Sequence, residues 1–263
     1  VTSPPLWTTW GSSNTSPGAS TGNAAISFAQ MSSSHSVDLR ISKMAGSSFS
    51  TSRSASVSGL ADSTGVVTQA GPLLDDAAEA RAATCPEASK LAFTLTDYRD
   101  VLKEEGAASF DAIASVEMVE AVGQKYWPAY LDSIAANLKP GGRAGLQYIR
   151  IADDIFESYA SSADFIQTYI FPGGMLLSES RFRALADERG LAWVDQHDMG
   201  LDYARTLKLW RERFDAAVDA GQLPPGFDDR FVRLWRYYLM YCEGGFRGGG
   251  IDVAQVTLIK ERP

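Results

Sequence analysis

Cysteine is scarce in this chain: Cys85 and Cys242 are the only two among 263 residues. Two cysteines are too few for a disulfide framework, and their separation is not that of a metal-ligand set, so no metal is expected and a reducing, cytoplasmic setting suits them best. Positive charge is also short, with 24 Lys and Arg against 32 Asp and Glu and a formal net charge of −8. Nucleic-acid binding rests on basic side chains at phosphates, so that class of partner is excluded. Docking on anionic lipid by charge alone is excluded for the same reason. No apolar run approaches the roughly 20 residues needed to span a bilayer, so any contact with a membrane is peripheral. Residues 1–65 lack helical or alternating apolar periods and are roughly a third serine. Such a composition does not offset the entropy of ordering it. Only Asp38 and Asp62 are acidic there, as in Ser-rich targeting sequence, but the segment has too little Arg for that reading.

From Leu91 onward the composition is that of an ordinary globular protein, in a chain with 45% hydrophobic residues overall. LAFTL (Leu91 to Leu95) and FDAIASV (Phe110 to Val116) read as short buried strands, because each is an apolar run of strand length with turn or charged residues at its ends. A helix over Tyr130 to Leu138 places Leu131, Ile134, Ala135 and Leu138 on one face, and Lys139-Pro140-Gly141-Gly142 stops it. RAGLQYIRI (Arg143 to Ile151) is the next strand, and this order implies a parallel sheet with crossover helices. Helices are predicted at Ser178 to Arg189, Tyr203 to Ala220 and Asp228 to Glu243. The last carries Phe231, Leu234, Trp235, Tyr238, Leu239 and Cys242 on one broad apolar face. IDVAQVTLIK (Ile251 to Lys260) alternates as a closing strand.

Six blocks follow one another in an order that is informative as a set: LTDYRDV, FDAIASVEMVEAVG, LKPGGRAGLQYI, DFIQTYIFPGG, HDMGLDYARTLKLWRERF and YYLMYCEGGFRGGGIDVAQVTL. In them the chain resembles the cyclopropane fatty acid synthase and mycolic acid cyclopropane synthase family, from about Thr94 to the C-terminus. The resemblance implies an α/β class I SAM-dependent methyltransferase (Rossmann-like) fold, with residues 91–263 as the C-terminal part of that domain carrying helical lipid-binding insertions. It implies S-adenosylmethionine (SAM) as cofactor. It also implies unsaturated phospholipid acyl chains as substrate, peripheral membrane contact and a homodimer. An antiparallel last strand suits this fold.

The chemistry implied is demanding. An alkene is a poor nucleophile, so the sulfonium methyl must be held on it in near-attack geometry, and transfer leaves a carbocation that must lose one proton. In the family a bicarbonate ion is the base. Matching motifs assigns its ligands as Glu120 in SVEMVEAVG, Tyr203 in LDYARTL, Cys242 in YCEGGF and the backbone at Ile149. Gln147 stands at the family's histidine position, and Ala121 stands where a histidine often follows the glutamate. Glutamine donates to an anion but does not titrate. It also resembles the branch that forms 10-methylene or 10-methyl chains, so cyclopropane and methyl-branched products are both open. Asp97 and Tyr98 are assigned to the cofactor, as an acidic and an aromatic side chain at the end of a strand flanking the adenine. His197 also matches a family position, but a lone histidine before a loop reads as structural. Trp210, Trp235, Tyr237 and Tyr238 line an acyl channel or simply pack in a core. The triple glycine Gly248 to Gly250 joins a helix to the last strand and reads as a tight turn, not a phosphate cradle.

The glycine-rich turn that holds SAM in such enzymes should lie upstream of Thr94, and no glycine there follows an apolar strand at the required spacing. Residues 1–90 are therefore expected to be a Ser/Ala/Gly-rich segment that is disordered or out of frame. A catalytically inactive lipid-binding homologue without the SAM loop is the alternative to the enzyme.

Overall fold

The computed structural model describes residues 97–101 and 106–262 with their side chains, together with the backbone of four strands upstream: β1 (Asn23–Phe28), β2 (Arg40–Ala45), β3 (Gly65–Thr68) and β4 (Leu91–Phe93). The expected apolar runs become β5 (Phe110–Val116), β6 (Leu138–Ile151) and β9 (Ile251–Lys260). Between the last two lie the short β7 (Leu177–Ser178) and β8 (Leu191–Asp198). Sheet order is β4-β3-β2-β1-β5-β6-β9-β8, with β7 paired to β6. β5 and β6 are parallel, whereas β9 is antiparallel to both β6 and β8. An antiparallel closing strand is what the alternation in IDVAQVTLIK and the resemblance led us to expect.

The serine-rich segment contributes three strands to this sheet, where its sequence gave no strand signal. β1 runs parallel to β5 and β3, and β2 runs antiparallel to β1. Their sequences, NAAISF, RISKMA and GVVT, are short and half polar, which is why neither an alternating pattern nor an apolar run marks them. The rest of the expectation for residues 1–90 falls outside the described residues. From β1 the strands build outward to β4, and the chain then returns to β5 on the other side of β1. The β1/β5 junction, where Phe28 is paired with Val116, is therefore a topological switch point.

Seven helices are described: α1 (Val119–Val122), α2 (Trp127–Asn137), α3 (Phe156–Ala160), α4 (Phe165–Tyr169), α5 (Glu179–Asp187), α6 (Gly200–Asp219) and α7 (Asp229–Arg247). α2 stops at Asn137, and β6 pairs from Leu138, opposite Phe110. The Pro-Gly-Gly sequence thus makes a bulge inside the strand entry and not a loop before it. Gly141 sits at φ +79°, and a Cβ on Gly142 would come within 2.8 Å of the Lys139 carbonyl, so both positions need glycine. α7 begins where Asp228 accepts a hydrogen bond from the Phe231 N–H at 2.8 Å, a side-chain cap.

Alternation along β6 and β9 divides the molecule into two faces. Leu146, Tyr148, Ala254, Val256 and Leu258 join Trp127, Tyr130, Phe156 and Phe182 in one closed core. On the opposite face Val253 meets Ala204, Leu207 and Phe214 of α6 and Val232, Leu239 and Phe246 of α7.

Candidate active site

The chain leaves β5 at Val116 and turns at Glu117, whose φ of +49° is unusual for a residue with a side chain. The Glu117 N–H donates to the Gln147 carbonyl at 2.8 Å. Its side chain then reaches across the sheet face, where Oε1 accepts from Gln147 Nε2 at 2.9 Å and from the Tyr203 hydroxyl at 2.6 Å. Gln255, opposite Gln147 in the β6–β9 register, donates through Nε2 to Gln147 Oε1 at 2.8 Å. That bond fixes the Gln147 amide with its NH2 toward Glu117.

Tyr203 is delivered by the first turn of α6. Its placement depends on a close approach: the Gly200 N–H donates to Asp252 Oδ1 at 2.7 Å, and a Cβ on Gly200 would lie 2.4 Å from that oxygen. The Tyr203 ring packs on Phe246 at 5.2 Å between centroids. Burial, then the charge of Glu117, keeps the phenol protonated well above its ordinary range.

Three residues beyond Glu117, Glu120 is 7% exposed. Its Oε1 accepts from the Ile149 N–H at 2.5 Å, and its backbone carbonyl accepts from the Met175 N–H at 2.8 Å, which ties the IFPGG segment to α1. Oε2 is buried without a hydrogen-bond partner among the described residues. Burial, and after it the charge of Glu117, pushes this carboxyl up to about 8. At neutral pH it mostly keeps its proton, because the buried site disfavours the charged form and the Glu117 charge adds to that.

These groups adjoin a cavity of about 1310 Å³. Glu117, Glu120, Ile149 and Tyr203 line it, as do Trp210 from α6, Phe231, Trp235, Tyr238 and Cys242 from α7, and Ile166, Ile170, Phe171 and Met175 from the segment around α4 and IFPGG. The apolar face read on α7 is thus core only in part: Leu239 is buried, while its aromatic members Phe231, Trp235 and Tyr238 turn to the cavity. Cys242 is a free thiol. Burial, and next the charge of Asp164, pushes it up to about 12, so it is a neutral thiol at physiological pH.

Of the residues expected from sequence, the structure brings Glu120, Tyr203, Ile149 and Cys242 to the cavity and joins Gln147 to them through Glu117. Asp97 and Tyr98 are not among them. Asp97 takes Arg99 in an ion pair at 2.5 Å, and Tyr98, 5% exposed, sits edge-on to Tyr130 in the closed core. His197 lies exposed on β8, away from the cavity. Glu117 was missed. The available signal was a pair of carboxylates three apart, at the end of a strand and the start of a helix.

A bicarbonate ion does not fit the donor set as it stands. Gln147 Nε2 and the Tyr203 hydroxyl are already engaged by Glu117, and the Ile149 N–H by Glu120. An added anion would meet two carboxyl groups and find three of its expected donors taken. For SAM, the relevant crevice is the β1/β5 switch point, from which Glu117 projects. The 29–39 segment after β1, which contains no glycine, falls outside the described residues.

The comparisons with known proteins agree with this architecture. Relatives include the tuberculostearic acid methyltransferase UfaA1 of Mycobacterium tuberculosis, 40% identical over 187 residues, covering 71% of this chain and 42% of the relative. The cyclopropane-fatty-acyl-phospholipid synthase of Escherichia coli K12 is 36% identical over 163 residues, covering 62% of this chain and 40% of its own length. The chain thus spans about two-fifths of the length of these relatives. Among solved structures, the mycolic acid cyclopropane synthase CmaA1 complexed with SAH and CTAB has the same fold. Its TM-score is 0.64 at 24% identity, covering 74% of this chain and 69% of that one. The cyclopropane synthase MmaA2 from Mycobacterium tuberculosis, at 21% identity, gives 0.63 with the same coverage. The match to the family described as mycolic acid cyclopropane synthetase runs over residues 75–256, starting upstream of the Thr94 expected from the motifs, and the chain belongs to that family of SAM-dependent methyltransferases.

Proposed function

We propose that this chain carries the reaction centre of an enzyme that transfers a methyl carbon from SAM to the double bond of an unsaturated phospholipid acyl chain. The observation that carries the reading is a pair of carboxyl groups, Glu117 and Glu120, on the wall of a largely apolar, aromatic-rich cavity that also takes in Asp164, next to the sheet's switch point. An acyl chain matches the apolar walls. Ring faces of Trp235 and Tyr238 favour a passing carbocation. SAM, when bound, supplies the electrophilic methyl group. Tyr203, Gln147 and the Ile149 N–H hold the two carboxyl groups in place, and Cys242 contributes a neutral, polarisable wall. In this reading α6 and α7 are the lipid-binding insertions of a methyltransferase domain running from about residue 91 to the C-terminus.

Loss of a proton from the transferred carbon closes a cyclopropane ring. Hydride migration before proton loss gives a 10-methylene chain, the precursor of a 10-methyl branch. The second outcome is favoured by Gln147 at the family's histidine position and by the 40% identity to a tuberculostearic acid methyltransferase. The lipid would be met from one side of a membrane at the cytoplasmic face. Supporting contact with a lipid surface, Met240 and Tyr241 expose apolar surface at the cavity. A homodimer is a further expectation, open to sedimentation.

The test is incubation of the purified chain with SAM and dioleoyl phosphatidylcholine vesicles, with calorimetric titration of SAM alongside. The expected products are fatty acids heavier by one CH2 unit, with fragmentation separating ring from branch. Saturable SAM binding without altered lipid mass would reject the acyl substrate. No SAM binding by folded protein would reject the enzyme and leave the inactive lipid-binding homologue.

A further inference from the structure

We infer that Glu117 is the proton acceptor of the reaction, standing in the chain where an external anion would otherwise be bound. The inference rests on the transfer reading above and adds the identity of its base.

Three observations carry it. First, the Glu117 carboxylate accepts hydrogen bonds from the two side chains, Gln147 and Tyr203, that would orient a small anion beside the substrate. One carboxylate oxygen takes both bonds, which leaves the other available to the cavity that Glu117 lines. Second, the arrangement is held from outside. Gln255 fixes the Gln147 amide, the Asp252–Gly200 contact fixes the start of α6 and hence Tyr203, and the left-handed backbone at Glu117 aims its side chain over β6. A non-glycine residue keeps such a conformation only when its surroundings over-determine it, and strain of this kind clusters at functional sites. Third, the neighbouring Glu120 presents a buried, unpartnered Oε2 at the same cavity. Its raised affinity for a proton makes it a poor acceptor near neutral pH, so the two carboxyl groups have different roles.

The sulfonium C–S bond breaks as the alkene π electrons form the new C–C bond, and the cofactor leaves as the neutral thioether. The carbocation in the acyl chain then loses one C–H proton of the transferred carbon to the free oxygen of Glu117. That C–H electron pair closes the three-membered ring or, where a hydride has first moved from the methyl-bearing carbon to the neighbouring cationic carbon, forms the double bond of the 10-methylene chain, and the proton returns to solvent. No further reactant is needed. Glutamate can do what bicarbonate does here because each offers an anionic oxygen whose position is fixed by donors.

The experiment measures methyl transfer to dioleoyl phosphatidylcholine vesicles by the full chain, in carbon dioxide-free buffer and with added bicarbonate. Wild type is expected to turn over at the same rate in both. Glu117→Gln keeps the shape and the hydrogen bonds but cannot take the proton, and its rate is expected to fall by about 100-fold or more with or without bicarbonate. Glu117→Ala empties the position, so it should be as slow in carbon dioxide-free buffer and regain rate when bicarbonate is added. That recovery also shows the variant to be folded.

Titration with carbon-13 bicarbonate, followed by NMR, tests occupancy without turnover. Binding is expected for Glu117→Ala and none for wild type. Wild type that binds or requires bicarbonate, a Glu117→Gln that keeps its rate, or a Glu117→Ala that bicarbonate does not restore overturns the assignment while leaving methyl transfer intact. If wild type alters no lipid in either buffer, the transfer reading fails and this inference goes with it.

Discussion

The two faces of the sheet use the same strands for opposite ends. On one face Trp127 and Tyr130 of α2 and Tyr148 of β6 surround Phe182 of α5, with ring centroids 6.0 to 6.3 Å from it, and the core is closed. On the other, α6 and α7 pack on Val253 of the sheet and with the segment around α4 enclose a cavity of about 1310 Å³. Along β6 the alternation is strict: Leu146 and Tyr148 belong to the closed core, while Gln147 and Ile149 serve the site. One face supplies the stability that lets the other carry buried carboxyl groups, an orphan oxygen and a left-handed glutamate. The division follows from the two-residue period of a strand and requires no separate scaffold.

The sharpest way to break this division is to truncate one aromatic on each face. Phe182→Ala, at a position with no exposure, should cost about 3–5 kcal/mol, read from denaturant unfolding. Trp210→Ala lines the cavity at 38% exposure and should cost about 1 kcal/mol or less while changing which acyl chains are accepted. Equal losses from the two would show that the cavity face is core.

Next in size is the effect of pH through Glu120. Its folded-state value, about 8, lies above the ordinary 4.5. Between those values the folded chain holds a proton that the unfolded chain has lost. Stability from this group therefore falls as pH rises from about 4.5 to about 8, by an amount on the order of 4 kcal/mol, and is level above that. Glu120→Gln should remove the slope, making the variant more stable than wild type at pH 8 and little different at pH 4.5. A parallel pH dependence of the two unfolding midpoints would show that Glu120 is ionised in the folded protein. Methyl transfer by the same variant should drop, since the amide oxygen still accepts from the Ile149 N–H but the side chain no longer holds a titratable proton at the cavity.

The smallest effect is expected at Cys242. Because its thiol is held up to about 12, alkylation by iodoacetamide at pH 8 should be much slower than for a free thiol. Cys242→Ser should leave the transfer rate nearly unchanged. Rapid labelling, or loss of turnover in the serine variant, would move Cys242 from the wall of the cavity to its chemistry.

Much of the sheet was legible because local pattern and final environment agree. FDAIASV and IDVAQVTLIK are strands at the residues their apolar runs mark, and α6 and α7 lie where their periods place them, with bounds displaced by a few residues. Two things were not legible. β1 to β3 form in sequence too polar and too short to carry a period, so their pairing is set by the neighbouring strands. Asp97 and Tyr98 looked available to a cofactor because a motif records order along the chain. In the fold, the pairing of Asp97 with Arg99 and the packing of Tyr98 on Tyr130 decide what those groups touch.

The site divides in the same way. Sequence by itself determined the residue types: two carboxyl groups three apart, a glutamine at the family's histidine position, a tyrosine at a helix start, and an aromatic stripe that suits either an acyl channel or a core. Only the tertiary structure decided that Tyr203 reaches Glu117 across 86 positions of chain, and that Gln255 steadies Gln147 across 108. Local periods fix which face a side chain points to. Its partner is set by sheet order and by where each helix lands, and those depend on contacts that no short window of sequence contains.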